Sequence, residues 1–254
     1  VRTVGIAQEG ILQFATDRST RLLAHTVLIQ PGGKLTIGID AQPILSPITA
    51  EIVIRDIPLC LHSESNCIFD PFQFGGGIIN INGTFITHGA LKTPYLRLAK
   101  VPRKGDTTLV LEYIPDGWQT GDILVIPDTR QVVYKNDYDL KRKNIKVHEV
   151  EEIAISNVNN TTITLARPLN FNHVGARIIH KDNDGTMSER EFLPHVINIS
   201  RNIIVRSENF NSNRGHILFT GTSTLDVRHT QFAHLGRTLH DKALHSARLD
   251  DETR

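Results

Sequence analysis

The sequence predicts an all-β chain, a β-solenoid of the right-handed parallel β-helix type that carries a small β-rich elaboration. Three observations lead there. First, Gly10-Ile11-Leu12-Gln13-Phe14 aligns with Gly33-Lys34-Leu35-Thr36-Ile37 at a step of 23 residues, and the pattern returns at Gly83-Thr84-Phe85-Ile86-Thr87 after a further 50. Each time a turn glycine precedes an alternating stretch suited to a strand with one buried face. Second, Asn202-Ile203-Ile204-Val205-Arg206-Ser207-Glu208-Asn209-Phe210 matches Thr224-Leu225-Asp226-Val227-Arg228-His229-Thr230-Gln231-Phe232 at a step of 22. A short fixed period with stacked apolar positions is what a solenoid needs, because each coil buries its face only against its neighbours. Third, helical periodicity is scarce: only Leu239, Ala243, Leu244 and Ala247 could share one helix face, between Leu239 and Leu249.

Taken in order, residues 1–98 read as a glycine-rich solenoid layer. Val27-Leu28-Ile29-Gln30-Pro31-Gly32 and Ile78-Ile79-Asn80-Ile81-Asn82 both run into the glycine corner, and a disturbed stretch lies between Ile57 and Gly77. Residues 99–180 read as the elaboration. Strands at Thr107–Leu111 and Asp122–Ile126 flank a turn at Asp116-Gly117-Trp118, Arg130–Lys146 is a polar excursion, and Val150–Leu165 holds two strands around Asn157–Asn160. Residues 181–254 read as β-helix rungs, with Ile203, Val205 and Phe210 stacked inward on Leu225, Val227 and Phe232, and with Arg206 and Arg228 outward.

Composition narrows the function. A net charge of +1 argues against nucleic acid as the main partner, which would call for a basic stripe. The basic cluster Lys141, Arg142, Lys143 and Lys146 follows Asp137 and Asp139 and reads as a solvated loop. No apolar run approaches the roughly 20 residues of a membrane span. Cys60 and Cys67, with His62 between them, fit a short disulfide in an oxidising compartment or two buried thiols better than a metal site, since zinc wants about four ligands. No metal or cofactor is predicted. Calcium at Asp70 would need a cage of six or more oxygens, which cannot be assembled around it from the sequence. The chain opens at Val1 already in strand-like sequence and stops as abruptly at Arg254, as an excised segment would.

Several segments together resemble a known family. Ile29-Gln30-Pro31-Gly32-Gly33-Lys34-Leu35-Thr36-Ile37-Gly38 and Gly77-Ile78-Ile79-Asn80-Ile81-Asn82-Gly83-Thr84-Phe85-Ile86-Thr87-His88-Gly89 are similar to the signature of the glycine-rich G-eight domain. That domain is found in the family of the cell-migration-inducing hyaluronan-binding protein and the fibrocystins. Trp118-Gln119-Thr120-Gly121-Asp122-Ile123-Leu124-Val125-Ile126 resembles its W-x-x-G-D segment, and Thr162-Ile163-Thr164-Leu165 with Pro168-Leu169 and His173 resembles the next. Ser200-Arg201-Asn202-Ile203 and Gly215-His216-Ile217 are similar to its entry into the β-helix, and Asp70-Pro71-Phe72-Gln73-Phe74-Gly75 to a microbial branch. The domain's usual opening strands do not precede Val1, and the histidine-rich R-Y-P-x-H-x-H stretch does not follow Arg237. The resemblance implies an extracellular or cell-surface protein that engages an acidic, hyaluronan-like polysaccharide, by binding or by depolymerisation.

Glycan cleavage could use paired carboxylates, or a base with a charge-neutralising group. The candidate catalytic residues are His216, His234 and Asp226, with His229 in an adjoining rung. Arg201, Arg206, Arg228 and Arg237 are candidates to clamp a uronate carboxylate. If Arg206, Arg228 and His216 face separate sides of the solenoid, they cannot line one groove. His88 reads as a turn residue, and Trp118 as a core residue rather than a sugar platform. The alternative is a non-catalytic structural or adhesive segment whose unpaired coil edges permit self-association.

Overall fold

In the computed structural model, which describes residues 1–57, 74–130 and 148–236, the recurring glycine corner has a direct cause: the chain visits three parallel sheets in rotation. With strands numbered along the whole chain, the first coil is β1 (Thr3–Ile6), β2 (Ile11–Gln13) and β3 (Thr20–Ala24). The second is β4 (Thr26–Ile29), β5 (Lys34–Ile37) and β6 (Ala50–Ile54). The third is β7 (Gly77–Asn80), β8 (Thr84–His88) and, much later in the chain, β17 (Ile203–Ser207). The fourth is β18 (His216–Phe219), β19 (Thr224–Arg228) and β20 (Thr230–Ala233). The sheets are β1-β4-β7-β18, β2-β5-β8-β19 and β3-β6-β17-β20.

All three sheets contribute to one interior. Val27, Ile29 and Ile78 from the first, Leu35, Ile37 and Phe85 from the second, and Ile52, Ile54, Ile203 and Val205 from the third form a single buried cluster. The corner glycines are there because the coils approach closely. A Cβ on Gly33 would lie 2.5 Å from the Ile6 carbonyl oxygen, and one on Gly83 would lie 2.5 Å from Ile29 Cγ2.

Register bears out two of the sequence steps and corrects the third. Ile11 pairs with Lys34 and Lys34 with Thr84, so the steps of 23 and 50 are true stacking distances. The step of 22 is not. Ile203 pairs with Ala50 on one side and Thr230 on the other, whereas Leu225 pairs with Phe85 in a different sheet. The sequence match had aligned strands of two sheets, which share alternation without being neighbours. Phe210, Leu225 and Phe232, read as inward, are exposed.

The three-segment division at 98/99 and 180/181 also differs from the structure, which forms two compact units, Val1–Ala90 with Arg201–Arg254 and Leu91–Ser200. The late rungs belong to the early solenoid because β17 hydrogen-bonds directly to β6. The second unit holds β9 (Tyr95–Arg97), β10 (Thr108–Val110), β11 (Ile123–Ile126), β12 (Glu151–Asn159), β13 (Thr162–Leu165) and β16 (His195–Asn198) in a sheet of order β10-β13-β12-β11-β16-β9. Its edges meet, since Leu98 bridges Leu111 and the Ala99 N–H donates to the Val110 carbonyl at 2.7 Å. The closed sheet surrounds Leu109, Trp118, Leu124, Ile153, Ile163 and Val196. A separate hairpin, β14 (Ala176–Lys181) and β15 (Met187–Phe192), completes the unit.

The W-x-x-G-D segment proves architectural. Trp118 is buried and its indole N–H donates to the Thr93 carbonyl at 2.7 Å. The Asp122 carboxylate is buried too, and accepts from Lys92 Nζ at 2.6 Å, Asn198 Nδ2 at 2.8 Å and the Gln119 N–H at 3.0 Å. The candidate residues Cys60, Cys67, Asp70 and Arg237, the Lys141–Lys146 cluster and the helix expected at Leu239–Leu249 lie outside the described residues.

Candidate functional site

The solenoid separates most of the residues that sequence reasoning grouped. Arg206 stands in β17, His216 in β18, and Asp226 and Arg228 in β19, so they fall on three different sheets. A single groove lined by Arg206, Arg228 and His216 is therefore not formed. Arg206 Nε donates to Glu51 Oε1 at 2.5 Å, while Arg21 Nε donates to Glu51 Oε2 at 2.5 Å. His216 Nδ1 sits 3.2 Å from the Gly76 carbonyl oxygen. His234 packs its ring on Phe210 with centroids 5.0 Å apart, and its carbonyl accepts the Ser207 hydroxyl at 2.6 Å.

Asp226 and Arg228 do come together, with two partners that the sequence had not assigned. Arg228 Nε donates to Asp226 Oδ1 at 3.1 Å and its Nη1 to Asp40 Oδ1 at 2.8 Å. His88, opposite Arg228 across the β8–β19 ladder, places Nε2 2.8 Å from Asp226 Oδ2 and Nδ1 4.0 Å from Asp40 Oδ1. The 2.8 Å approach lacks hydrogen-bond alignment, and among the described residues neither ring nitrogen has another hydrogen-bond partner. The His88 contact, aided by Arg228 and opposed by burial, holds the Asp226 carboxyl below its ordinary value. Burial, then the charges of Arg201, Arg228 and His88, pushes nearby His229 down. The His88 side chain is 5% exposed, too closed to reach a polymer substrate. Arg228 is already shared by two carboxylates, which leaves little of its charge for a uronate. This cluster ties coils together and is a poor acid–base centre.

The second unit offers a different arrangement. Lys100-Val101-Pro102-Arg103-Lys104 is a second basic run besides the Lys141 cluster, legible in the sequence by its spacing. The loop is pinned to the segment 169–173. The Gly105 N–H donates to the Leu169 carbonyl at 2.8 Å, Leu169 N–H to Asp106 O at 2.9 Å, His173 N–H to Pro102 O at 3.0 Å, and Lys104 N–H to Asn172 Oδ1 at 2.9 Å. Among the described residues, Lys100, Arg103 and Lys104 make no ion pair, and all three are exposed. Lys104 also lines an open cleft of about 540 Å³, with Thr129, Asn170, Phe171, Asn172 and Val174.

Beneath that cleft lies a buried charge network. Glu151 and His173 have side chains 1% and 0% exposed. The Glu151 carboxylate accepts from Arg167 Nη1 at 2.8 Å, from the Asn170 N–H at 2.9 Å and from the Phe171 N–H at 3.0 Å, and lies 3.2 Å from His173 Nε2. Burial pushes the Glu151 carboxyl up, but Arg167, the Asn170 and Phe171 amides and His173 together hold it below its ordinary value. The network fixes the backbone of residues that line the cleft. No group of three or more His, Cys, Asp or Glu side chains suited to a metal occurs among the described residues.

Comparison with known proteins now places the first coils. Residues 1–99 match the G8 domain. The match takes in the first eight strands of the solenoid and β9 of the second unit, and both glycine signatures lie within it, at β4–β5 and β7–β8. The W-x-x-G-D segment lies beyond it. The similarity continues past the G8 domain. The chain is 27% identical to Fibrocystin-L of Homo sapiens over 203 residues, which is 79% of this chain and 4% of that protein. It is 30% identical to Fibrocystin of Canis lupus familiaris over 168 residues, 65% of this chain and 4% of that protein. The chain thus spans a small fraction of the relatives it matches. Among solved structures, the tailspike gp61 of Pseudomonas phage phi297 is similar at 12% identity and a TM-score of 0.30, covering 84% of this chain and 27% of that one.

Proposed function

We propose that this chain is an extracellular or cell-surface module that holds an acidic polysaccharide, of the hyaluronan-like class, without cleaving it. The reading takes the three parallel sheets as a closed, right-handed β-helix that serves as scaffold, with the contact made by the second unit. One observation carries it. Among the described residues, Lys100, Arg103 and Lys104 make no ion pair and stand on a loop pinned by backbone hydrogen bonds, whereas Arg206 and Arg228 are engaged by Glu51, Asp40 and Asp226. A polyanion is drawn to cations whose charge is not cancelled locally, and a loop already held in place gives up little entropy on binding. A non-catalytic role is favoured by the closure of the His88–Asp226 cluster, since hydrolysis needs two carboxylates flanking an accessible cleft.

Retention on immobilised acidic polysaccharides tests the reading, with dextran as the neutral control. The wild type is expected to bind the acidic gels alone, with affinity falling as salt rises at a log–log slope of roughly −2, as for three cations on a flexible polyanion. The combined Lys100→Gln, Arg103→Gln and Lys104→Gln variant should lose retention, and the Arg206→Gln and Arg228→Gln pair should keep it. The reverse pattern would move the contact to the solenoid. Loss of polymer size during incubation would contradict the non-catalytic part.

A further inference from the structure

We propose that the cleft beside the basic loop is a built saccharide subsite, which seats one sugar ring of the bound chain while Lys104 meets its acidic group. This rests on the polysaccharide reading and names where on the second unit a ring is held. At about 540 Å³ the cleft falls in the range of small-ligand sites, roughly 300–1,000 Å³. Phe171 and Val174 supply an apolar surface for the C–H face of a pyranose, and Asn170, Asn172 and Thr129 supply amide and hydroxyl groups for its hydroxyls.

The charge pattern fits a single acidic group. Arg130, on the cleft wall, is held by Asp128 through Nε at 3.0 Å and Nη2 at 2.7 Å, and by Glu149 through Nη1 at 3.0 Å. That side of the cleft therefore carries one net negative charge, and among the described residues that line it the Lys104 ammonium is the cation left to meet an acidic group. Asn172 spends its Oδ1 on the Lys104 N–H and keeps its Nδ2 donors for a ligand. The lining is also preformed. Glu151, which is buried, accepts the backbone N–H groups of both Asn170 and Phe171, so the backbone that carries the ring and its neighbouring amide is set before anything binds.

Calorimetric titration with defined oligosaccharides of polygalacturonate, and with dextran sulfate of matched length, tests the subsite. Phe171→Ala and Asn172→Ala should each weaken the uronate oligosaccharide by about tenfold while leaving the salt slope unchanged. Phe171→Trp, which keeps an aromatic face, should bind close to wild type, and thermal melts of all three variants establish that each is folded. Dextran sulfate should feel the loop substitutions more than Phe171→Ala. Wild-type affinity in both Phe171→Ala and Asn172→Ala would overturn the subsite, and if the loop variant still lost binding, the polysaccharide reading would survive alone. If the wild type binds neither polyanion, both readings fall.

Discussion

At Arg206 and Arg228 the alternation of the strands is enough to place the side chains outward, and not enough to say what they meet. Their partners come from far away in the chain: Glu51 is 155 residues from Arg206, and Asp40 is 188 from Arg228. No local pattern carries that information. His88 was obscured in the same way, because a histidine that closes a strand reads as a turn until the fourth coil brings Asp226 against it. His173 and Glu151 are different. They belong to a buried network in which the Glu151 carboxylate also holds Arg167 and two backbone N–H groups, and removing that carboxylate leaves those donors without their acceptor. Glu151→Ala should lower the stability of the second unit by about 3–5 kcal/mol, read by chemical denaturation. The pH dependence has a definite sign. Glu151, Asp128 and Asp226 all have folded pKa values below their ordinary ones, so each stabilises fully above the unfolded carboxylate range of about 4 and loses that contribution as pH falls. Thermal midpoints should drop steeply on the acid side, and Glu151→Gln should flatten that slope at the cost of a lower plateau. A midpoint that rose on acidification would contradict the assignment.

The glycine corners show what single elements reveal. Gly10, Gly33 and Gly83 mark the same point of successive coils, so the steps of 23 and 50 residues translate directly into the β2–β5–β8 ladder. The step of 22 failed because three strands of similar alternation make up each coil, and β17 and β19 resemble each other while belonging to different sheets. Only the corner, where a close approach forbids a side chain, fixes the phase. A Cβ on Gly33 would meet the Ile6 and Ala7 carbonyl oxygens at 2.5 and 2.9 Å, both backbone atoms that cannot move aside. Gly33→Ala should therefore destabilise the solenoid by about 1–3 kcal/mol, the usual cost of overpacking. Gly105→Ala, by contrast, meets nothing within 4 Å, and its cost should come from its positive φ of 92° alone. Comparing the two melts separates steric from conformational effects.

Across the whole molecule, the chain order conceals the division. The solenoid's third coil begins at β7 and is completed by β17, with Leu91–Ser200 folded as a unit of its own between them. Strand content within that unit was legible, for Thr107–Leu111 and Asp122–Ile126 fall on β10 and β11, whereas the turn expected at Asn157–Asn160 comes later: Asn157–Asn159 end β12 and the chain reverses at Asn160-Thr161. Its closure was not, because the bridge between Leu98 and Leu111 depends on the sheet curling rather than on any motif. Function is hidden in the same way: outward arginines on a solenoid suggest a binding face, and only their partners show that Arg206 and Arg228 are already neutralised. The proposed polysaccharide contact lies on the second unit, at its pinned basic loop. Hydrogen exchange on the whole chain with and without polygalacturonate distinguishes that site from the solenoid. Added protection is expected at residues 100–106 and 169–175, with none around Arg21, Glu51, Arg206 and Arg228. Protection confined to those solenoid positions, with the 100–106 loop unchanged, would contradict it.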